Sequence, residues 1–389
     1  MNPLRDLFGL DPDLVFLNHG SFGACPLEVL AELQRWQRET ERNPVQFLGR
    51  RSGALLDDAR SALAALLGAQ AEDIAFVPNA THGVNLVARS LRLRPGDEVL
   101  GSGLEYGACD ATWQRLCDAA GARYRRAPIA LPLVPQDFAA QLMCHAGPRT
   151  RLVFCSHLAS TTALVLPVAE LVAAAHARGL PVLIDGAHAP GQIDLDLDAL
   201  GADYYTGNGH KWLCGPKGSA FVHVRRDRQE ALEPTVVSWG LVEGTGGHTG
   251  FEAFVGRGPL QRRLQWQGTR DLSPWLALPA ALDFHRRHLG PEVRQRCHEL
   301  ACDFMHRVCA RLGTTPIAPD GSFAQMVAVP LPEVDAEALR SHLFERHRIE
   351  VPVTQHEDRV FVRVSVQGYN EPAELRQLES ALLSQLEGA

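Results

Sequence analysis

Residues 181–224 read PVLIDGAHAPGQIDLDLDALGADYYTGNGHKWLCGPKGSAFVHV. PVLID and ADYYTG are short apolar runs bounded by Gly, Pro, Asn or Asp, the pattern of buried strands. After the tight GPKG turn, SAFVHVRR (219–226) is read as a last, antiparallel strand. Two of these strand ends carry groups that packing does not require. Asp185 closes the first and leads at once into Gly186, Ala187 and His188, and Lys211 follows 26 residues later between His210 and Trp212.

An unpaired buried carboxylate is costly, so Asp185 is either a capping or turn aspartate or has a cationic partner. Lys211 leaves a short connection between two core strands rather than an exposed helix. Buried lysines are rare and easily shifted in pKa, which suits imine chemistry. A satisfied, partly exposed lysine would also explain it, and Lys217 in the GPKG turn competes for the role.

Outward from this stretch, residues 50–225 alternate helix-period segments with short apolar runs, the signature of an α/β chain with a parallel sheet. DIAFV (73–77), DEVLGSG (97–103) and RLVFCSH (151–157) are the earlier strands. GALLDDARSALAALLG (53–68), THGVNLVARSL (81–91), ATWQRLCDAAG (111–121) and PVAELVAAAHARG (167–179) are helices. A Gly-rich stretch, GLVEGTGGHTGFEAF (240–254), is a candidate pocket wall. Beyond it come long helices (273–290 and 291–313), strands FAQMVAVPLP (323–332) and RVFVRVSVQ (359–367), and a terminal helix, which together read as a smaller α+β domain. The expected division is an N-terminal arm (1–20) packed back across the structure, a large domain (21–270) and a small domain (271–389), with the linker near 255–275. An active site belongs at the strand C-terminal ends, near the domain junction.

A third strand end points the same way. In FVPNATHGVNLV (76–87), residues Asn79, Ala80, Thr81, His82 and Gly83 open a helix whose free N–H groups could hold a phosphate. Ordinary capping by Asn79 or Thr81 explains it equally well in isolation. An anion cradle, an aspartate and a strand-linked lysine together match the needs of pyridoxal phosphate. These are a phosphate site, a carboxylate to keep the pyridine nitrogen protonated, and an amine for the aldehyde.

Composition narrows the alternatives. Hydrophobic residues make up 46% and charged residues 21%, far from the disordered range. With 38 Lys+Arg against 45 Asp+Glu the formal charge is -7, and without long basic runs there is no electrostatic footprint for nucleic acid. The N-terminus lacks a signal-peptide pattern, and the apolar stretch TTALVLPVAELVAAAHA (161–177) is too interrupted by Pro, Glu and His to span a bilayer. A cytoplasmic protein without membrane attachment is expected. Nine cysteines favour free thiols. Cys297, Cys302, His306 and Cys309 have helical spacing that could ligate metal, but an apolar core face is the favoured reading and no metal is expected.

The chain resembles the class V aminotransferase family of fold-type I pyridoxal phosphate enzymes, most closely its isopenicillin N epimerase-like branch. LNHGSFGACP (17–26), RNPVQFLGRR (42–51), NATHGVN (79–85), EYGA (105–108), SHLASTTALVLPV (156–168), LIDGAHAPGQ (183–192), TGNGHKWLCGPKG (206–218), QGTRDLSPWLALPAAL (267–282) and VRVSVQGYN (362–370) carry the resemblance over nearly the whole length. It implies a mostly parallel seven-stranded sheet between helices in the large domain, and a homodimer. It also implies that Lys211 carries the cofactor, Asp185 pairs with the ring nitrogen, Tyr106 stacks on the ring and His188 lies near the phenolic oxygen. Asn79, Ala80, Thr81, His82, Ser160 and His210 would complete the cofactor site, helped by the partner subunit's Thr269. Arg363 would clamp the substrate carboxylate, unless it is simply an alternating surface arginine, and Asn18 and His19 would be further substrate-pocket residues.

The resemblance further implies proton abstraction at the Cα of an amino acid, with freed Lys211 as base. Epimerisation, C–S β-elimination and transamination share that step. Epimerisation is the first expectation and β-lyase the runner-up. Persulfide-forming desulfurases resemble one another in a nucleophilic cysteine on a C-terminal-domain loop, and here no cysteine follows Cys309.

Overall fold

A computed structural model describes residues 2–241 and 258–386. Most of the Gly-rich candidate pocket wall, residues 242–254, and the first residues of the expected linker, 255–257, lie outside the described residues. The strands in chain order are β1 (Val15–Phe16), β2 (Ile74–Val77), β3 (Glu98–Ser102), β4 (Arg123–Ala127), β5 (Thr150–Ser156), β6 (Val182–Gly186), β7 (Tyr204–Asn208), β8 (Ala220–Val224), β9 (Met326–Pro330), β10 (Ile349–Glu350), β11 (Val353–His356) and β12 (Arg359–Ser365).

Seven of them form one sheet in the order β2-β8-β7-β6-β5-β3-β4. β8 runs antiparallel to both of its neighbours, and the run from β7 to β4 is parallel throughout. Helices cover both faces, so β5 and β6 read as continuous apolar runs. Within β5, Val153 and Cys155 enter one core layer while Leu152 and Phe154 enter the opposite one, where Trp113 meets Phe154 at 5.6 Å between ring centroids. At about 1.5–3 kcal/mol for each large apolar side chain removed from water, these two layers fix the register of the sheet.

Six of the seven strands are apolar enough to read from the sequence. β4, RYRRA, is not, because as an edge strand it buries Tyr124 and Ala127 and turns Arg123, Arg125 and Arg126 to solvent. Charged edges of this kind block pairing with other chains.

Near the C-terminus, β11, β12 and β9 form an antiparallel sheet beside the 22-residue helix Pro291–Leu312. Cys297, Cys302 and Cys309 lie on its buried face within the core, whereas His306 points outward to Asp320 at 2.8 Å, so the cysteines serve packing. No helix among the described residues is long and apolar enough to cross a membrane.

The N-terminal residues pair with strands from the far end of the chain, by a route the sequence does not advertise. β1 pairs in parallel with β10, joining Val15 to Ile349 and Phe16 to Glu350. The next residues lie between two strands: Leu17 N–H donates to Glu350 O at 3.0 Å, and Ser365 N–H donates to Leu17 O at 2.9 Å. After the short helix His19–Phe22, Gly23 turns at φ +71°, and a Cβ there would lie 2.1 Å from His210 O and 2.9 Å from Lys211 Cα.

Gly23 is thus a close-approach position in a left-handed conformation, where any side chain is strained. Gly23→Ala is expected to cost about 1–3 kcal/mol. Thermal unfolding of the variant checks this, with a lower Tm as the expected outcome and an unchanged Tm contradicting the close approach.

Candidate active site

The parallel register brings three strand ends side by side, with Ser156 opposite Asp185 and Asp185 opposite Thr206. With the start of helix Ala80–Ser90 and with Arg363 on β12, these C-terminal ends enclose a cavity of about 420 Å³. Its lining brings together Tyr106, Asp185, His188, His210, Lys211 and Arg363. Sites at this end of a parallel sheet are the rule for α/β folds, and the volume suits a small-molecule site. A larger cavity of about 840 Å³ lies beyond Pro190 and Gly191, against helices Ser52–Leu67 and Leu278–His288. It holds none of those six residues.

Lys211 Nζ lies 3.0 Å from His188 Nε2. Burial brings the lysine down to about 7, helped by the positive charge of Arg363 and opposed by Asp185. A substantial fraction of Lys211 is therefore neutral near pH 7, as a nucleophilic amine requires. His188 is held well below its ordinary value by burial, then by Lys211 and Arg363, and stays neutral. Its Nδ1 is buried without a hydrogen-bond partner. Lys217 has a different task, because its ammonium donates to Gly23 O at 2.8 Å and ties the arm to the turn.

Asp185 is buried at the end of β6. It accepts from Ala187 N–H at 3.0 Å and contacts the Cys109 thiol at 3.5 Å. Burial holds its carboxyl above the ordinary value, against the opposing pull of the Ala187 bond and the Lys211 charge. Beneath it lies a second carboxyl that sequence reading missed. Glu105 accepts from Ser156 N–H at 2.8 Å and from the Ser156 hydroxyl at 2.6 Å, and burial raises it to about 8. A mostly protonated Glu105 leaves Asp185 as the principal anion of the cavity near neutral pH.

The helix start is both capped and open. Asn79 Oδ1 accepts from His82 N–H at 2.8 Å, and Asn208 Oδ1 accepts from Ala80 N–H at 2.9 Å. Asn208, also missed in the sequence, joins the end of β7 to this helix. Thr81 lines the cavity, and neither its N–H nor its hydroxyl has a hydrogen bond to a described residue. Close by, His210 holds its Nδ1 against Ser219 O at 3.1 Å, and burial lowers it to about 4. An anion beside His210 would raise that value and turn the ring into a donor on both nitrogens. The free Thr81 donors, the Lys211 amine and the Asp185 carboxylate, all on the cavity wall, fit pyridoxal phosphate: a place for phosphate, aldehyde and ring nitrogen in turn. Tyr106 sits at the N-cap of helix Gly107–Ala120, lining the cavity with its ring 46% exposed, as a stacking surface would be.

Arg363 is only 4% exposed, yet no carboxylate touches it among the described residues. Its Nη1 donates to Ser160 O at 2.5 Å and Ser160 Oγ at 3.3 Å; its Nη2 donates to Ser21 Oγ at 3.0 Å and Asn18 Oδ1 at 3.4 Å. Nε has no partner, and burial lowers the group to about 10. The surface-arginine reading is thereby excluded.

Other expected site residues sit differently. Ser160 lines the cavity but is engaged with Arg363. Asn18 lies behind Arg363, and His19 lies outside the lining, beneath the Lys211 backbone. There His19 Nε2–H donates to Lys211 O at 3.0 Å, while Nδ1 accepts from Ala24 N–H at 3.3 Å, which fixes the tautomer. His82 turns its ring to Thr235 at 3.3 Å and contributes nothing to the lining. Thr269 lines a separate cleft with Arg38, Arg42 and Arg270, so within one subunit it does not reach this cavity.

Comparison with known proteins agrees with this geometry. The sequence pattern of the aminotransferase class-V family matches residues 16–378. An isopenicillin N epimerase of Streptomyces clavuligerus is 42% identical over 380 residues, covering 96% of this chain and 95% of its own. A probable chloroplastic L-cysteine desulfhydrase of Arabidopsis thaliana is 29% identical over 405 residues, covering 96% of this chain and 83% of its own. Among solved structures, a lysine-to-alanine mutant of C-DES with glycine covalently linked to its PLP cofactor superimposes with a TM-score of 0.82 at 27% identity, covering 97% of this chain and 98% of that one. The mostly parallel seven-stranded sheet, the cavity at its strand ends and the match over residues 16–378 place this chain in the class V aminotransferase family of fold-type I enzymes.

Proposed function

We propose that this protein is a pyridoxal phosphate enzyme that epimerises an amino acid or amino acid derivative at Cα, as the name of its Streptomyces relative suggests. The observation that carries the reading is the pairing, in one cavity, of a lysine lowered to about 7 with a buried arginine that has no carboxylate partner among the described residues. An amine site and a carboxylate site within one small cavity fit an α-amino acid. Bound pyridoxal phosphate would supply the electron sink that acidifies the Cα–H bond.

Asp185 would hold the ring nitrogen protonated, Tyr106 would stack on the ring, and His188 would face its phenolic oxygen. Thr81, through its free N–H and hydroxyl, and His210 would hold the phosphate, with the partner subunit's Thr269 completing the site in a homodimer. Arg363 would fix the substrate carboxylate through its planar fork, with charged hydrogen bonds of about 1.5–3 kcal/mol each. Lys211 would then take the Cα proton on one face, and Tyr106 is the candidate to return one on the other. We assign these tasks to a large domain (21–270), closed by the arm (1–20) and the small domain (271–389). Nine free cysteines fit a cytoplasmic enzyme.

A second reading, C–S β-lyase, is favoured by the desulfhydrase relative. Both chemistries share Lys211, and persulfide formation lacks its loop cysteine here. Incubation with amino acids in deuterium oxide decides between the two. Deuterium at Cα with inversion is the expected outcome, whereas release of pyruvate or ammonia without inversion would replace epimerase by lyase.

The lowered lysine adds a pH test. Only neutral Lys211 can capture the aldehyde, so cofactor uptake by apoprotein is expected to rise with pH up to about 7 and then level off. An unperturbed lysine would keep the rate climbing towards 10.5. Stopped-flow absorbance follows the uptake, and Lys211→Ala is expected to develop no visible band at any pH.

A further inference from the structure

Arg363 receives oxygens from two parts of the chain that are far apart in sequence, Ser160 and the N-terminal pair Asn18 and Ser21. Every one of them is neutral. A carboxylate is nevertheless close behind. Asn18 Nδ2 donates to Glu350 Oε1 at 3.1 Å, while Asn18 Oδ1 accepts from Arg363 Nη2 at 3.4 Å and from the Ser21 hydroxyl at 2.5 Å. One amide therefore stands between the buried guanidinium and the acid.

This arrangement follows from the threading of the arm. β1 pairs with β10 up to Glu350, and Asn18 bridges to Ser365, two residues from Arg363 on β12. Asn18 is thereby inserted between the strand that carries the acid and the strand that carries the base. Its amide has two ends, and the acid dictates which faces the arginine, because only the NH2 end can donate to a carboxylate. With that end engaged, the oxygen must point to Arg363 and Ser21.

We infer that Asn18 and Glu350 are positioning residues for Arg363: the amide holds the guanidinium in place while keeping the Glu350 carboxylate from neutralising it, so that its charge stays available to the substrate carboxylate. This rests on the reading of Arg363 as the carboxylate clamp. A direct Glu–Arg ion pair would occupy the donors the substrate needs and would cancel the charge that attracts it. Without any polar support, the arginine would lose the hydrogen bonds that keep it buried. An amide relay meets both demands. Neither Asn18 nor Glu350 lines the cavity, so both act through Arg363 rather than on substrate.

The relay makes three variants behave differently. Asn18→Asp puts a carboxylate directly on Arg363 and beside Glu350, Glu350→Ala releases the amide, and Glu350→Gln keeps an acceptor for it. The test titrates the visible band of the holoenzyme with L-alanine and, separately, with ethylamine, which has the amine but no carboxylate. Asn18→Asp is expected to weaken the L-alanine response by tenfold or more and Glu350→Ala by about fivefold. Glu350→Gln is expected to restore it to within about twofold, and the ethylamine response should be the same in all forms. Equal weakening toward both ligands would mean a general disturbance of the site and would overturn the relay, as would unchanged L-alanine affinity in both Asn18→Asp and Glu350→Ala. Should the unmodified holoenzyme respond no better to L-alanine than to ethylamine, Arg363 is not a carboxylate clamp, and the relay falls with that reading. Melting curves of each variant separate these outcomes from unfolding.

Discussion

Two buried cations, Lys211 and Arg363, share one cavity in which Asp185 is the principal anion, and this imbalance shapes the rest of the site. Burial lowers both cations, the Arg363 charge lowers Lys211 further, and His188 is kept neutral by burial first and then by the two cations. A folded protein tolerates such an arrangement only where surrounding structure imposes it. Here the seven-stranded sheet imposes Lys211 and Asp185, while β12 and the N-terminal residues packed on it impose Arg363. The charge is relieved when anionic groups enter, and the proposed cofactor and substrate bring two, a phosphate and a carboxylate.

The balance of charge is maintained by a series of neutral residues placed where charged ones would alter it. Glu105, beneath Asp185, is raised to about 8 and so mostly keeps its proton near pH 7 while it secures Ser156. His19, under the Lys211 carbonyl, is lowered by burial to about 3 and serves as a fixed donor rather than a charge. Asn208 orients the helix start with an amide where an aspartate would repel phosphate. Asn18 performs the same kind of duty at Arg363. Polar groups hold the geometry throughout, and full charges are kept for the atoms that meet ligand.

How much of this was legible in the sequence depends on whether a residue breaks a local pattern. Asp185 closes an apolar strand and Lys211 sits in a short connection between two core strands, so they stand out without any knowledge of tertiary structure. β4 hides because its three arginines suit a solvent-facing edge, and β1 and β10 hide because two residues make no pattern. Glu105 and Asn208 look like ordinary loop polar residues until the fold closes on them. Ser160, Asn18 and His19 lay in recognisable motifs, yet their contacts with Arg363 and with the Lys211 backbone span 203, 345 and 192 residues. Motif similarity locates such residues near a site, but only the fold says which partner they hold. His82 shows the converse, since its neighbours form the cradle while its own ring turns away to Thr235.

The same distinction bears on the reaction. If Lys211 removes the Cα proton as proposed, elimination of a β-substituent asks little more of the protein than room for the leaving group. Inversion asks for a proton donor on the far face and for exclusion of bulk water, which would return the proton without facial control. Lyase chemistry is therefore the outcome a minimal version of this site would give, and epimerisation is the outcome that needs additional structure. Tyr106 is placed at the cavity wall but is 46% exposed in a single subunit, which is too open to govern a proton by itself. Its capacity to do so depends on what covers it, and a homodimer with its sites at the interface would provide that cover. Oligomerisation would then bear on the choice of reaction as well as on cofactor affinity.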